Sequence, residues 1–205
     1  MSFEGNADNI LFGKNPRLKD EFNRLFNAIF SNPEDCKKII RLLAKKHVGF
    51  TREEIAKETG LPFGGGLTDT LNALVESDFI QRYRPYNVSG KVSFYKLIDN
   101  FSLFWLKYVE PNTEDINFMT DNMTSNIMRV WRGVAFEEVC WQHIGQIKRA
   151  LGISGVSSSI SAWSVKGNDN KEGVQIDLLI IRNDNVVNLC EMKFAGGTLY
   201  AGPCP

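Results

Sequence analysis

The sequence predicts an α+β chain in two parts: an N-terminal winged helix-turn-helix, then an α/β core. Three observations carry this prediction. Helix patterns recur three times between residues 32 and 76, two strand-like runs follow directly, and a long helix then precedes three further strand runs. Three helices and a two-stranded ribbon, in that order, match a winged helix.

The first of these helices opens at Asn32-Pro33-Glu34-Asp35, a cap residue, a preset φ and acids at the positive dipole end. Ile39, Ile40, Leu42 and Leu43 then recur at helical spacing. Thr51 and Glu54 have capping-box spacing for the second helix, and Gly60 suits its left-handed end. Gly64 to Gly66 read as a turn, after which Leu67, Leu71, Leu74 and Val75 form the apolar stripe of a third helix. Phe79 to Tyr83 and Val92 to Leu97 read as the hairpin strands. The apolar run Phe101 to Tyr108 is expected to pack the two parts together.

The domain reading is 12–110 for the winged helix with flanking helices, 111–132 for a polar linker and 133–205 for the second domain. A single helix is expected over Gly133–Leu151, then strands over Val156–Trp163, Val174–Ile181 and Val186–Phe194, with a turn at Asn183-Asp184-Asn185.

Charge bears on function. Twenty-four basic and 24 acidic side chains leave no net charge, which argues against tight autonomous DNA binding but leaves room for a local basic patch. The third helix exposes Thr68, Asp69, Thr70, Asn72 and Glu76, with no Lys or Arg; Asn72 could pair with adenine, but it is a single residue. The basic groups expected on the wing are Arg82, Arg84, Lys91 and Lys96. Two readings fit: a module touching DNA through Asn72, Arg82, Arg84 and Lys91, or one that docks against a neighbour without DNA. The four cysteines lie far apart, and with only His47 and His143 no zinc site is readable. Neither a signal peptide nor a membrane span is readable, so a cytoplasmic location is expected.

The chemistry concentrates in the second part. Val174-Gln175-Ile176-Asp177-Leu178-Leu179-Ile180-Ile181 reads as a buried strand with a carboxylate at its centre, costly unless paired, hydrogen-bonded or on a metal. Alternation puts Val187, Leu189, Glu191 and Lys193 on one face of the next strand, and Gln175, Asp177 and Leu179 on one face of this one. If the faces coincide, Asp177, Glu191 and Lys193 converge. Paired carboxylates suit a cation such as Mg²⁺ or Mn²⁺, which would polarise a phosphodiester while Lys193 steadies charge. A bare acid-x-Lys pattern is unspecific, since Asp35-Cys36-Lys37 also matches it. The bland alternative is a Glu191–Lys193 surface pair, with Asp177 capping a turn. Glu138, beside Glu137, reads as solvated surface, and His143 as a core histidine.

Asp177, then Glu191-x-Lys193, after a helix bearing Glu137, resembles the PD-(D/E)XK nuclease superfamily core. The winged helix with "AFEEVC", "SAW", "QIDLLI" and "LCEMKF" resembles more narrowly the C-terminal half of archaeal-type AAA ATPases, from about Phe12 to Phe194. The resemblance implies a restriction-endonuclease-like fold for the second part, with Glu137, Asp177 and Glu191 as metal acids holding Mg²⁺ or Mn²⁺. It also implies Lys193 as catalytic lysine and Gln175 as an accessory group. The family carries a nucleotide-binding domain before the winged helix and further elements after the lysine. Gly13-Lys14-Asn15 lacks the Ser/Thr of a phosphate loop, and only twelve residues follow Lys193. The expectation is therefore an incomplete nuclease-like core, truncated at both ends, that binds no ATP and works beside a separate ATPase domain. The competing expectation is a protein-docking or regulatory arm with no DNA contact.

Overall fold

The computed structural model describes residues 2–86, 92–165 and 172–195. The chain is α+β, with two three-stranded antiparallel sheets among the described residues. Helix α1 (Phe3–Leu11) starts where the Ser2 hydroxyl accepts from the Gly5 N–H at 3.2 Å. Helix α2 (Glu21–Ile29) places Phe22 and Phe26 one turn apart on a buried face, with Phe30 just beyond. Phe26 lies 4.9 Å from Phe79, ring centre to ring centre, and Phe30 lies 5.5 Å from it.

Helix α3 (Pro33–Leu43) begins as its sequence predicts, although the Asn32 amide donates to Asp35 instead of capping a backbone N–H. The short strand β1 (Phe50–Thr51) leads into α4 (Arg52–Thr59), whose capping box is complete. Glu54 N–H donates to the Thr51 hydroxyl at 3.2 Å, and Thr51 N–H donates to the Glu54 carboxylate at 2.7 Å. Gly60 closes the helix at φ 71°. Helix α5 (Gly65–Glu76) starts inside the glycine run and buries Leu67, Leu71 and Leu74. Strands β2 (Ile80–Tyr83) and β3 (Phe94–Leu97) complete a sheet of order β1–β3–β2. At Gly49, φ is 77° and an added Cβ would sit 2.0 Å from the Tyr95 carbonyl oxygen, so the turn into β1 accepts only glycine.

Helix α6 (Asn100–Phe104), capped by the Asp99 carboxylate on Ser102 N–H, runs on through a π-type turn over Trp105–Val109. Residues 111–132 are not the free linker their polarity suggests. They hold α7 (Phe118–Asn122) and the start of α8 (Asn126–Gln142), and they bury Phe118, Met119 and Met128 in the main core. The Asp8 carboxylate, itself buried, anchors α7 by accepting from Met119 N–H at 2.7 Å and from the Thr120 N–H at 2.9 Å. Three apolar anchors and one buried cap outweigh the polar composition.

The helix expected over 133–151 instead begins at Asn126, capped by Ser125, and breaks at His143 before α9 (Ile144–Ala150). Strands β4 (Ser158–Val165), β5 (Val174–Arg182) and β6 (Val187–Cys190) form the second sheet in the order β4–β5–β6. Ser161 pairs Leu179 and Trp163 pairs Ile176, so Ala162 stands opposite two residues, Asp177 and Leu178. This bulge breaks the strict alternation assumed for β5 at the carboxylate. Leu178, Leu179 and Ile180 are all buried, so both faces of β5 are covered beyond the bulge.

The halves share structure. Tyr83 of β2 sits in the second core with Trp141, Leu178, Ile180 and Met192. The Ser161 hydroxyl donates to the Arg84 carbonyl at 2.6 Å, and Tyr86 N–H donates to the Ala162 carbonyl. Among the described residues no helix is long and apolar enough to cross a membrane.

Candidate functional site

Helix α8 carries adjacent acids, and a step of about 100° per residue gives them different burial although His47 meets both. Glu138 turns inward and is 0% exposed, contrary to its expected place on the solvated surface. The Lys96 ammonium lies 3.0 Å from Glu138 Oε1, and His47 Nδ1 lies 3.4 Å from it. Glu138 Oε2 has no hydrogen-bond partner among the described residues. Glu137, more exposed, meets the same imidazole from its other nitrogen, 2.7 Å from His47 Nε2. Lys96 is correspondingly not a wing cation: it is buried, with its ammonium 4.3 Å from the centre of the Trp141 ring.

Burial pushes the Glu138 carboxyl above its ordinary value of 4.5, against the opposing pull of Lys96 and His47. Burial, with Glu138 adding to it, also raises the Tyr83 phenol to about 12, and its hydroxyl donates to the Val48 carbonyl at 2.7 Å. The raised Glu138 value has a signed consequence. From 4.5 up to the raised value the folded chain binds more protons than the unfolded chain, so this carboxyl erodes stability as pH rises through that window. Glu138→Gln is expected to flatten the decline, measured by urea unfolding at several pH values above 4.5. An unchanged pH profile would show that the decline has another source.

Asp177 lies at the bulge. Its Oδ2 accepts from Met192 N–H at 2.9 Å, and Gln175 Nε2 donates to its Oδ1 at 3.4 Å. Trp141 Nε1 donates to the Asp177 carbonyl at 3.1 Å, tying α8 to β5. Because the carboxylate takes the Met192 N–H, β6 ends at Cys190, four residues short of the expected strand. Glu191 and Lys193 therefore lie beyond the ladder. Their side chains are 69% and 62% exposed and pair with each other at 2.5 Å. The bond to Glu191 chiefly raises the Lys193 ammonium, with smaller pulls from Asp177 and Glu137.

Glu137, Gln175 and Asp177 line one cleft of about 460 Å³, together with His47, Lys96 and the rings of Tyr83, Phe94 and Trp163. Glu191 and Lys193 are not part of its lining. Among the described residues no three His, Cys, Asp or Glu side chains stand together as a metal-holding group. Of the residues expected to touch nucleic acid, Arg82 and Arg84 are exposed and border a second, open groove with Ser93 and Ser159. Asn72 is exposed on α5, and Lys91 lies outside the described residues.

Sequence reasoning missed His47, Lys96 and Glu138 as a unit. One signal was present: Lys96 interrupts the apolar run Phe94-Tyr95-Lys96-Leu97-Ile98, and a charge there requires a buried partner. Over 183 residues the chain is 27% identical to an uncharacterized protein of Methanocaldococcus jannaschii, covering 86% of this chain and 39% of that protein. The chain thus spans less than half the length of this relative. No protein-family model matches the chain, and no solved structure matches it significantly.

Proposed function

We propose that this chain is the DNA-associated C-terminal region of an AAA-type ATPase, pairing a winged helix-turn-helix with a nuclease-like core whose acidic site is vestigial. Support for the first element is the order α3, α4, α5 and hairpin, with β1 added beside β3. Support for the second is α8 set against an antiparallel sheet carrying Asp177. The observation that carries the reading is a neighbourhood shared but not assembled. Glu137 and Asp177 line one cleft while Glu191 and Lys193 lie outside its lining, and Glu191, Asp177 and Glu137 already have protein partners in Lys193, the Met192 N–H and His47 respectively.

Carboxylates are suitable donors for Mg²⁺ or Mn²⁺. With Glu191 outside the cleft that Glu137 and Asp177 line, the three acids are not gathered into one metal-holding group among the described residues, which favours a vestigial site. In this reading the nucleotide belongs to a partner ATPase domain. The test is plasmid nicking in Mg²⁺ or Mn²⁺ by the chain and by its Glu191→Ala variant. Equal, background nicking is expected. Metal-dependent nicking lost in the variant would make the site an active one. DNA association predicts a salt-sensitive mobility shift, with the salt slope reduced by about one for each phosphate contact removed in Arg82→Ala or Arg84→Ala.

A second reading, a docking arm without DNA contact, has its own specific support. The hairpin is tied to β4 through Arg84 and Tyr86, Lys96 is buried, and α5 exposes Asp69, Asn72 and Glu76 without a cation. No mobility shift at low salt would favour this reading over DNA association.

A further inference from the structure

The cleft beside Asp177 has features that phosphodiester chemistry does not require. Three of its walls are aromatic: Phe94 and Tyr86 on the hairpin side and Trp163 on β4. Tyr86 is exposed, while Phe94 and Trp163 are half-buried, so their rings are neither sealed in a core nor spread on an open surface. Below them Trp141 is buried, with its ring face taken by the Lys96 ammonium, and that ammonium is matched by Glu138. The floor is therefore a buried ion pair rather than a free charge. His47 likewise engages Glu137. Asp177 Oδ1, by contrast, accepts only a long hydrogen bond from the Gln175 amide, at 3.4 Å, among the described residues. The cleft thus offers ring faces on its walls and an acceptor beside an amide at its edge.

We infer that this cleft takes an unpaired nucleobase, stacked against Trp163 and read along its edge by Asp177 and Gln175. The inference rests on the nucleic-acid part of the reading above and adds the strand type. At about 460 Å³ the cleft falls in the size range of small-ligand sites. Stacking on aromatic side chains requires a base whose face is free, which a duplex withholds unless the base is extruded. The edge chemistry adds a preference. A carboxylate only accepts, so Asp177 favours bases with an exocyclic amine, as an acid accepts from cytosine N4, and disfavours thymine. The bulge serves this arrangement: it sets Asp177 and Leu178 together opposite Ala162, and Leu178 goes to the core while Asp177 lines the cleft.

The test is fluorescence anisotropy with labelled homopolymeric single strands (dA, dC and dT) and a matching duplex. It uses the full chain and its Trp163→Leu, Trp163→Phe and Asp177→Asn variants. The single strand is expected to bind about tenfold or more tighter than the duplex. Trp163→Leu should lose about tenfold, given the worth of one stacked base, and Trp163→Phe should recover most of it. Asp177→Asn keeps an oxygen for the Met192 N–H, so it should weaken dA and dC binding while sparing dT. Competition by free adenosine or cytidine, sensitive to Trp163→Leu, would extend the site to free nucleosides. Equal binding of both strand types, with Trp163→Leu folded and unchanged, overturns the cleft while leaving DNA association standing. Binding of neither strand nor nucleoside overturns both.

Discussion

Replacing Lys96 with methionine is expected to cost about 3–5 kcal/mol of folding stability, the usual penalty for stranding a buried charge. The size follows from the surroundings of Glu138. Its side chain has no exposure, Oε2 has no hydrogen-bond partner among the described residues, and Lys96 supplies the nearest cation at 3.0 Å. Removing the ammonium leaves the carboxylate either ionised without its main counter-charge or forced to take a proton. His47, at 3.4 Å from the same oxygen, offers partial compensation. The double variant Lys96→Met/Glu138→Leu should recover most of the loss, since matched apolar residues often replace a buried pair at little cost. Urea unfolding of the two variants and the parent chain checks this. A loss below about 1 kcal/mol in the single variant would place the pair among weak surface bridges.

Gly49→Ala is expected to be comparably severe, roughly 3–5 kcal/mol, for a backbone reason. Alanine at φ 77° carries left-handed strain, and its Cβ would stand 2.0 Å from the Tyr95 carbonyl oxygen and 2.7 Å from the carbonyl carbon. Strain of this kind costs about 1–3 kcal/mol, and overpacking adds a similar amount. Relief requires β1 to move from β3, opening the Phe50–Tyr95 and Thr51–Phe94 pairs. Gly60→Ala is the control: φ is 71° there, but nothing lies within 4 Å of an added Cβ. It should lose only the conformational part, about 1–2 kcal/mol. Equal losses at the two sites would show that the close approach at Gly49 contributes nothing.

Local signals were the most legible in the sequence. Pro33, the Thr51/Glu54 box and Gly60 fix helix ends through chemistry contained within a few residues, and the observed ends agree with them. The stripe of Leu67, Leu71 and Leu74 is buried as its spacing predicts. Features set by distant partners were not legible. The bulge at Asp177 depends on how β4 pairs with β5, and it defeats an argument from alternation alone. The early end of β6 depends on a side chain fifteen residues away taking a backbone N–H. Residues 111–132 look like a linker by composition because Asp8, which anchors α7, lies more than a hundred positions earlier. Glu138 reads as solvated in the sequence because its partners, His47 and Lys96, come from other elements.

Tyr83 belongs to the hairpin by sequence and to the second core by packing, and that double membership limits how this architecture can be inherited. A recombination junction within 111–132 would transfer a hairpin without the Trp141 face that Tyr83 packs on, 5.5 Å between ring centres. It would also separate His47 and Lys96 from the two acids of α8 that match them. Each half would then carry a buried group chosen for a surface it no longer meets. An exchange that keeps these contacts must move the hairpin, the turn after α3 and α8 together, across the apparent domain boundary.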